Sequence, residues 1–191
     1  MSTETVEKAV LEEYLRALLE MIGEDPNREG LLETPHRVAK MLKEVFAGVG
    51  VPPEEALTTT FESEGYDGMI VVKDIDYYTF CEHHLIPFFG KASIGYIPDD
   101  RIVGLSKFAR LVELASKRPQ VQERMTQQIA QAIETVLQPK GVIVMLEGQH
   151  LCMCARGVKK PGSATVTTVK KGVFKENNSL VREFEKNIEA R

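Results

Sequence analysis

No stretch of this chain stays apolar for the roughly 20 residues needed to cross a bilayer, which argues against a membrane-spanning protein. The opening Met1-Ser2-Thr3-Glu4-Thr5 lacks the basic and apolar regions of a secretory signal. Cysteine is scarce as well: three in 191 residues is too few for a disulfide framework. A cytoplasmic protein with free thiols is therefore expected. Positive charge is not in surplus either, since 24 Lys and Arg against 28 Asp and Glu leave a formal net charge of -4. That argues against non-specific nucleic-acid binding, which depends on many cations neutralising phosphates. Internal repeats and low-complexity tracts are missing. What remains is ordinary globular composition, 43% hydrophobic and 27% charged, in a chain long enough to build a substantial core.

The order of patterns is α+β rather than a repeating βαβ. Apolar residues at Val6, Val10, Leu11, Tyr14, Leu15, Leu18 and Leu19 predict an amphipathic helix from about Glu4 to Ile22. Thr34-Pro35 opens a second helix, with Thr34 as N-cap, ending near Gly48. Beyond Pro52, Pro53 and Thr58-Thr59-Thr60 the composition turns strand-like, so a boundary near residue 60 divides an N-terminal helical region, 1–60, from a catalytic region, 61–191. Strands are expected at Met69–Asp74, Gly90–Ile97, Gly141–Leu146, His150–Gly157 and Ser163–Val169. Helices are expected from Ser106 to Ser116, with Ser106 as cap, from Val121 to Leu137, and from Ser179 to Ala190.

Between the first two strands lies Cys81-Glu82-His83-His84, and much later comes His150-Leu151-Cys152-Met153-Cys154. Two separate segments thus offer thiolates and imidazoles, the ligands zinc prefers. The C-x-x-H spacing lets Cys81 and His84 reach one ion from a turn. One residue from the second segment would complete a three-ligand set, which leaves a fourth position for water and marks a catalytic rather than a structural metal. Reactive side chains alternate in Gly148–Arg156, so an extended strand would put His150, Cys152, Cys154 and Arg156 on one face. Cys152 and Cys154 then compete for the third place. Taken singly, each residue has a plainer explanation, since a lone Cys usually packs as a small hydrophobe and His83 or His84 can be a hydrogen-bonded turn residue. Their joint occurrence favours metal.

Lys107 and Arg110 share a helix face, and with Arg156 they offer three cations that can converge on a polyphosphate. Taken alone, Lys107 and Arg110 read as a solvated basic face. Glu123, at the start of the next helix, suits the helix dipole, and if buried it would accept two hydrogen bonds from a guanine.

The segments Cys81–His84, Val103-Gly104-Leu105-Ser106-Lys107, Arg118-Pro119-Gln120-Val121-Gln122-Glu123-Arg124 and His150–Gly157 closely resemble GTP cyclohydrolase I. The likeness runs from about Gly30 to Gly172-Val173-Phe174 and the last helix. It implies a tunnelling fold, an antiparallel sheet with two helices on one face, whose sheets join into barrels in a homodecamer with interfacial active sites. It implies Zn2+ on Cys81, His84 and Cys152, leaving Cys154 without a role, and catalytic histidines at His83 and His150. Glu123 would read the guanine and Gln122 would line the same pocket. Lys107, Arg110 and Arg156 would hold the triphosphate, with Arg37 and Lys40 nearby, and Glu82 and Ser106 would lie beside the substrate. The implied reaction converts GTP to 7,8-dihydroneopterin triphosphate and formate at the head of a pterin or folate route, with cooperativity plausible in a ring assembly. The alternatives are a relative that stops early or acts on another purine or pterin, and a non-catalytic zinc-stabilised oligomer that binds a nucleotide. Nitrile reductases of the same fold use a Cys nucleophile without this zinc set.

Overall fold

The computed structural model describes residues 3–190, with side chains from Ala9 onward, so the expected apolar contact of Val6 lies outside the described residues. The chain forms two compact units, Met1–Ala47 and Gly48–Arg191.

The first unit is a helical pair, α1 (Thr3–Met21) and α2 (Thr34–Val45). Leu11, Leu15 and Leu19 are half-buried along one side of α1, while Val10, Tyr14 and Leu18 stay exposed. The apolar pattern is therefore wider than the face this unit covers. Glu33, not Thr34, is the N-cap of α2, without a side-chain cap; Pro35 sits in the first turn, where its missing N–H costs nothing. Pro35 and Ala39 are buried, and Arg37 and Lys40 are exposed on the same helix. His36 Nδ1 lies 3.0 Å from Glu12 Oε1 and joins the two helices.

The second unit is built on a five-stranded sheet. Its strands are β2 (Ile70–Cys81), β3 (Pro87–Ile97), β5 (Pro119–Gln120), β6 (Gly141–His150) and β7 (Thr165–Gly172), in the order β5-β2-β3-β6-β7. All pairings are antiparallel except the short parallel contact of β5 with β2. A separate ribbon pairs β1 (Thr60–Glu62) with β4 (Arg101–Val103). The three short strands β1, β4 and β5 had no pattern long enough to announce them.

Strand parity divides the core in two. Ala92, Ile94, Tyr96, Val142, Val144 and Leu146 face α3 (Ser106–Ser116) and α4 (Gln122–Leu137), meeting Phe108, Leu111, Met125, Ile129 and Ile133. Ile97 and Ile143 project oppositely and pack with Phe174 and Phe184 under α6 (Asn178–Glu189). Gly95 makes this second contact possible, because a Cβ there would lie 2.6 Å from the Phe184 ring. α6 carries the one well-formed cap among these helices: Asn177 Oδ1 accepts from the N–H groups of Ser179 and Leu180. Ser106 is the first residue of α3 rather than its cap, which is Leu105.

Two departures from the expected elements shape the site. β2 runs seven residues past Asp74, to Cys81, because a bulge between Val72 and Ile75 resets its register and puts Tyr77, Thr79 and Cys81 on the buried side. The expected strand over His150–Gly157 does not form. β6 ends at His150 and continues as a single helical turn, α5 (Leu151–Cys154). The cause is the ladder: His150 pairs with Phe88 near the start of β3, and β7 pairs with β6 only as far as Gly148. No strand remains beside residues 151–157 to take their backbone hydrogen bonds, so the chain satisfies them locally.

Candidate metal centre and active site

β2 ends in a tight turn that carries the first half of the site. Leu85 N–H donates to Cys81 O at 2.8 Å and His84 N–H to the same carbonyl at 3.3 Å, while Cys81 N–H donates to Ile86 O at 3.0 Å. Leu85 adopts a left-handed φ of 51° to close this loop, a conformation that a branched side chain takes only when its surroundings impose it. Parallel pairing of Cys81 with Gln120 and a 2.9 Å bond from Glu82 N–H to Gln120 O tie the turn to the approach of α4.

The second half is the α5 turn. Cys81 Sγ, a ring nitrogen of His84 and Cys152 Sγ come within 4.8 Å of one another, with Cys81 buried, Cys152 half-buried and His84 exposed. The donor set and its spacing suit a metal with bonds of about 2.0–2.3 Å. Cys152's thiol is pushed up, first by burial and then by the neighbouring Cys81. Two adjacent thiolates in this setting need a cation beside them. Cys154 is directed elsewhere, since two residues along a helical turn rotate a side chain by about 200°. Its Sγ faces Lys160 O at 3.6 Å. The group that could hold a metal thus includes Cys152 and not Cys154, through helix geometry rather than the shared strand face that the alternation suggested.

His83 and His150 take different surroundings. His83 is exposed, with Nδ1 3.7 Å from Cys81 Sγ. His150 is half-buried and stacks on Phe88 with ring centroids 4.3 Å apart and an interplanar angle of 8°. Its Nε2 lies 3.0 Å from Gln122 Oε1. Burial pulls His150 below the ordinary imidazole range, and the Glu123 carboxylate opposes that shift.

The start of α4 sorts its residues by depth. Gln122 is 1% exposed, whereas Glu123 is on the surface, so the condition that Glu123 be buried is not met within the chain. Glu82 is ion-paired with Arg124, which holds its carboxyl below the usual range. Arg124 also donates from Nε to Gln120 Oε1 at 3.1 Å, and Gln120 is fully buried. Arg124 and Gln120 are thus architectural parts of the site that the residue-type argument missed; a cation four residues from Gln120 on the same motif was the available signal.

The expected phosphate contacts are less assembled. Lys107 Nζ donates to Thr58 Oγ1 at 3.0 Å, and Ser106, Arg110 and Arg156 are exposed. Arg37 and Lys40 belong to the helical pair. Among the described residues, no helix is long and apolar enough to cross a membrane.

Comparison with known proteins gives these features a family. The GTP cyclohydrolase I family model matches residues 11–189. A GTP cyclohydrolase 1 of Streptococcus gordonii is 56% identical over 168 residues, covering 87% of this chain and 89% of its own. Its counterpart in Streptococcus agalactiae is 55% identical over 175 residues, covering 91% and 90%. That of Streptococcus pyogenes serotype M5 is 54% identical over 176 residues, covering 92% and 90%. The solved apo structure of archaeosine synthase QueF-Like aligns with 55% of this chain and 93% of its own at 13% identity and a TM-score of 0.45, too slight a likeness to carry an argument. With nearly the whole length matched, and with close relatives of the same length and name, the chain belongs to the GTP cyclohydrolase I family.

Proposed function

We propose that the protein hydrolyses and rearranges GTP to 7,8-dihydroneopterin triphosphate with release of formate, as the first committed step towards a pterin or folate. The observation that carries this reading is the convergence of Cys81, His84 and Cys152 in a chain of this family, with His83 and His150 close by in sequence to the ligands. Cys81, His84 and Cys152 would hold zinc, which when bound supplies the Lewis acidity that makes water a competent nucleophile near neutral pH.

The protein's own groups do the remaining work. His150 relays to N7 of the guanine the proton given up by the water that adds at C8, raising the electrophilicity of C8. His83, on the exposed side of the turn, serves the proton transfers at the ribose during rearrangement and ring closure. Glu123 accepts from the guanine N1 and exocyclic amino groups, and becomes desolvated only when another surface covers it. Lys107, Arg110 and Arg156 receive the triphosphate, with Arg37 and Lys40 adding charge and Ser106 and Glu82 lining the substrate.

Exposure of Glu123 and of the cations supports an interfacial site in a homo-oligomer, with the tunnelling-fold sheets joined into barrels and ten copies in two rings. The edge strands support the same reading. Among the described residues β7 pairs only with β6, and β2 meets β5 only at Phe80 and Cys81, which leaves most of both edges for pairing with another copy. The catalytic region spans residues 61–191 and follows a helical region, 1–60.

The test is to supply GTP to zinc-loaded protein and to measure formate and the dihydropterin absorbance together. Equal amounts of both support the full reaction. Formate without pterin assigns a ring-opening relative that stops early, and neither product, despite bound zinc and GTP, defeats the enzymatic reading. Repeating the two measurements in His83→Ala and His150→Ala tests the division of labour, which fails if both variants stop at the same intermediate.

A further inference from the structure

Gln122 was expected to line the guanine pocket, yet every polar atom of its side chain is already engaged inside the protein. Its amide nitrogen approaches Leu146 O at 3.0 Å, Thr165 O at 2.9 Å and Thr167 Oγ1 at 3.2 Å. Two of those partners are backbone carbonyls, which can only accept, so the amide cannot be turned round without setting oxygen against oxygen. The neighbouring hydroxyls agree. Thr126 donates its hydroxyl proton to Gln122 O at 2.7 Å, so in the 2.7 Å contact between Thr126 and Thr167 the donor is Thr167. Thr167 Oγ1 is then left to accept from Gln122.

With the amide fixed this way, Oε1 faces His150 Nε2 at 3.0 Å, and that nitrogen must be the N–H donor. Gly148 makes room for the arrangement, because a Cβ at that position would lie 2.5 Å from Gln122 Oε1 and 2.5 Å from the Tyr77 hydroxyl. The Phe88 ring, stacked on His150 at 4.3 Å, fixes the plane of the imidazole.

We propose that Gln122 is a positioning residue: it locks His150 in the tautomer protonated at Nε2, leaving Nδ1 as the atom that exchanges a proton with substrate. The proposal rests on the reading of His150 as the proton carrier, and it removes the Gln122 side chain from guanine recognition. An oriented neutral imidazole of known tautomer is what a proton carrier needs, since a ring free to swap tautomers would present the wrong nitrogen part of the time. Gln122 also ties α4 to β6 and β7 beside the site, because its side-chain partners lie on those two strands.

The test is nitrogen NMR of zinc-loaded protein carrying 15N-labelled histidine, with the His150 signals assigned by their loss in His150→Ala. Wild type should show His150 protonated at Nε2 and bare at Nδ1. Gln122→Met should mix the two tautomers and lower kcat about 10–100-fold, the range typical of residues that orient catalytic groups, with KM for GTP changed less than about threefold. Should Gln122→Met fail to fold, Gly148→Ala displaces Oε1 with the glutamine still present and should mix the tautomers likewise. A wild-type ring protonated at Nδ1, an unchanged tautomer in the displaced variants, or a loss confined to KM overturns the proposal. If the tautomer follows Gln122 but wild type produces no pterin, the cyclohydrolase reading fails and the positioning role stands.

Discussion

The candidate metal end of the sheet and the expected phosphate contacts are built to different standards. Cys81, His84, Cys152 and His150 are held by strand pairing, a closed turn, a helical turn and a buried amide network, all within one chain. Arg110, Arg156, Arg37 and Lys40 are exposed, and Lys107 has a single threonine partner. Groups that must meet a reacting atom at a set distance tolerate little error, so they are pre-organised at a cost to the fold. Groups that hold a flexible, highly charged triphosphate act over longer range and can wait for the ligand or for a neighbouring copy. A single folded chain therefore brings the candidate metal ligands and His150 into fixed places and leaves the expected phosphate contacts unassembled.

Breaking the pre-organised end should have the largest effect. Cys152→Ser should lose the metal and lower turnover by more than about 100-fold, beyond the range for residues that merely support ligands; metal content and formate release measure it. His150→Ala should keep the metal and lower formate release about 10²–10⁴-fold, the usual contribution of a positioned acid or base. Removal of metal by a chelator should abolish turnover while circular dichroism retains most of the helix and strand signal. Collapse of the fold on chelation would instead make the metal structural.

The cationic positions should respond differently. Each of Lys107→Ala, Arg110→Ala and Arg156→Ala should raise KM for GTP roughly tenfold or more, from the loss of about 1.5–3 kcal/mol per charge-assisted hydrogen bond, with kcat affected less. A fall in kcat alone would place that residue with the reacting centre. At the small end, Cys154→Ser should leave metal content unchanged and stability within about 0.5 kcal/mol of wild type, because its thiol faces the carbonyls of Lys160 and Pro161, which a hydroxyl can also meet.

The same contrast explains what could be read before the fold was known. The candidate Cys-His cluster was legible because thiols and imidazoles in a C-x-x-H turn have few other uses in a chain with three cysteines, although the choice between Cys152 and Cys154 was not. The helices α3, α4 and α6 were legible through their apolar period, within a residue or two at their ends. The fate of residues 151–157 was not. Alternation over Gly148–Arg156 favoured a strand, but a strand needs a neighbour, and where β3 and β7 begin is a tertiary fact. The hydrogen bonds of Gln122 were hidden for a related reason, since its partners Leu146 O and Thr165 O come from distant strands. The extra length of β2 depended on a bulge at Asp74, whose positive φ of 59° no residue pattern announced.

The central claim is that the helical turn after β6 selects one of two neighbouring cysteines and completes a three-residue metal site within one chain. Zinc content per chain in Cys152→Ser and Cys154→Ser, purified side by side and measured by atomic absorption, tests it most directly. The account predicts about one zinc per chain in Cys154→Ser and wild type, and little in Cys152→Ser. Full zinc in Cys152→Ser, with loss in Cys154→Ser, would contradict it.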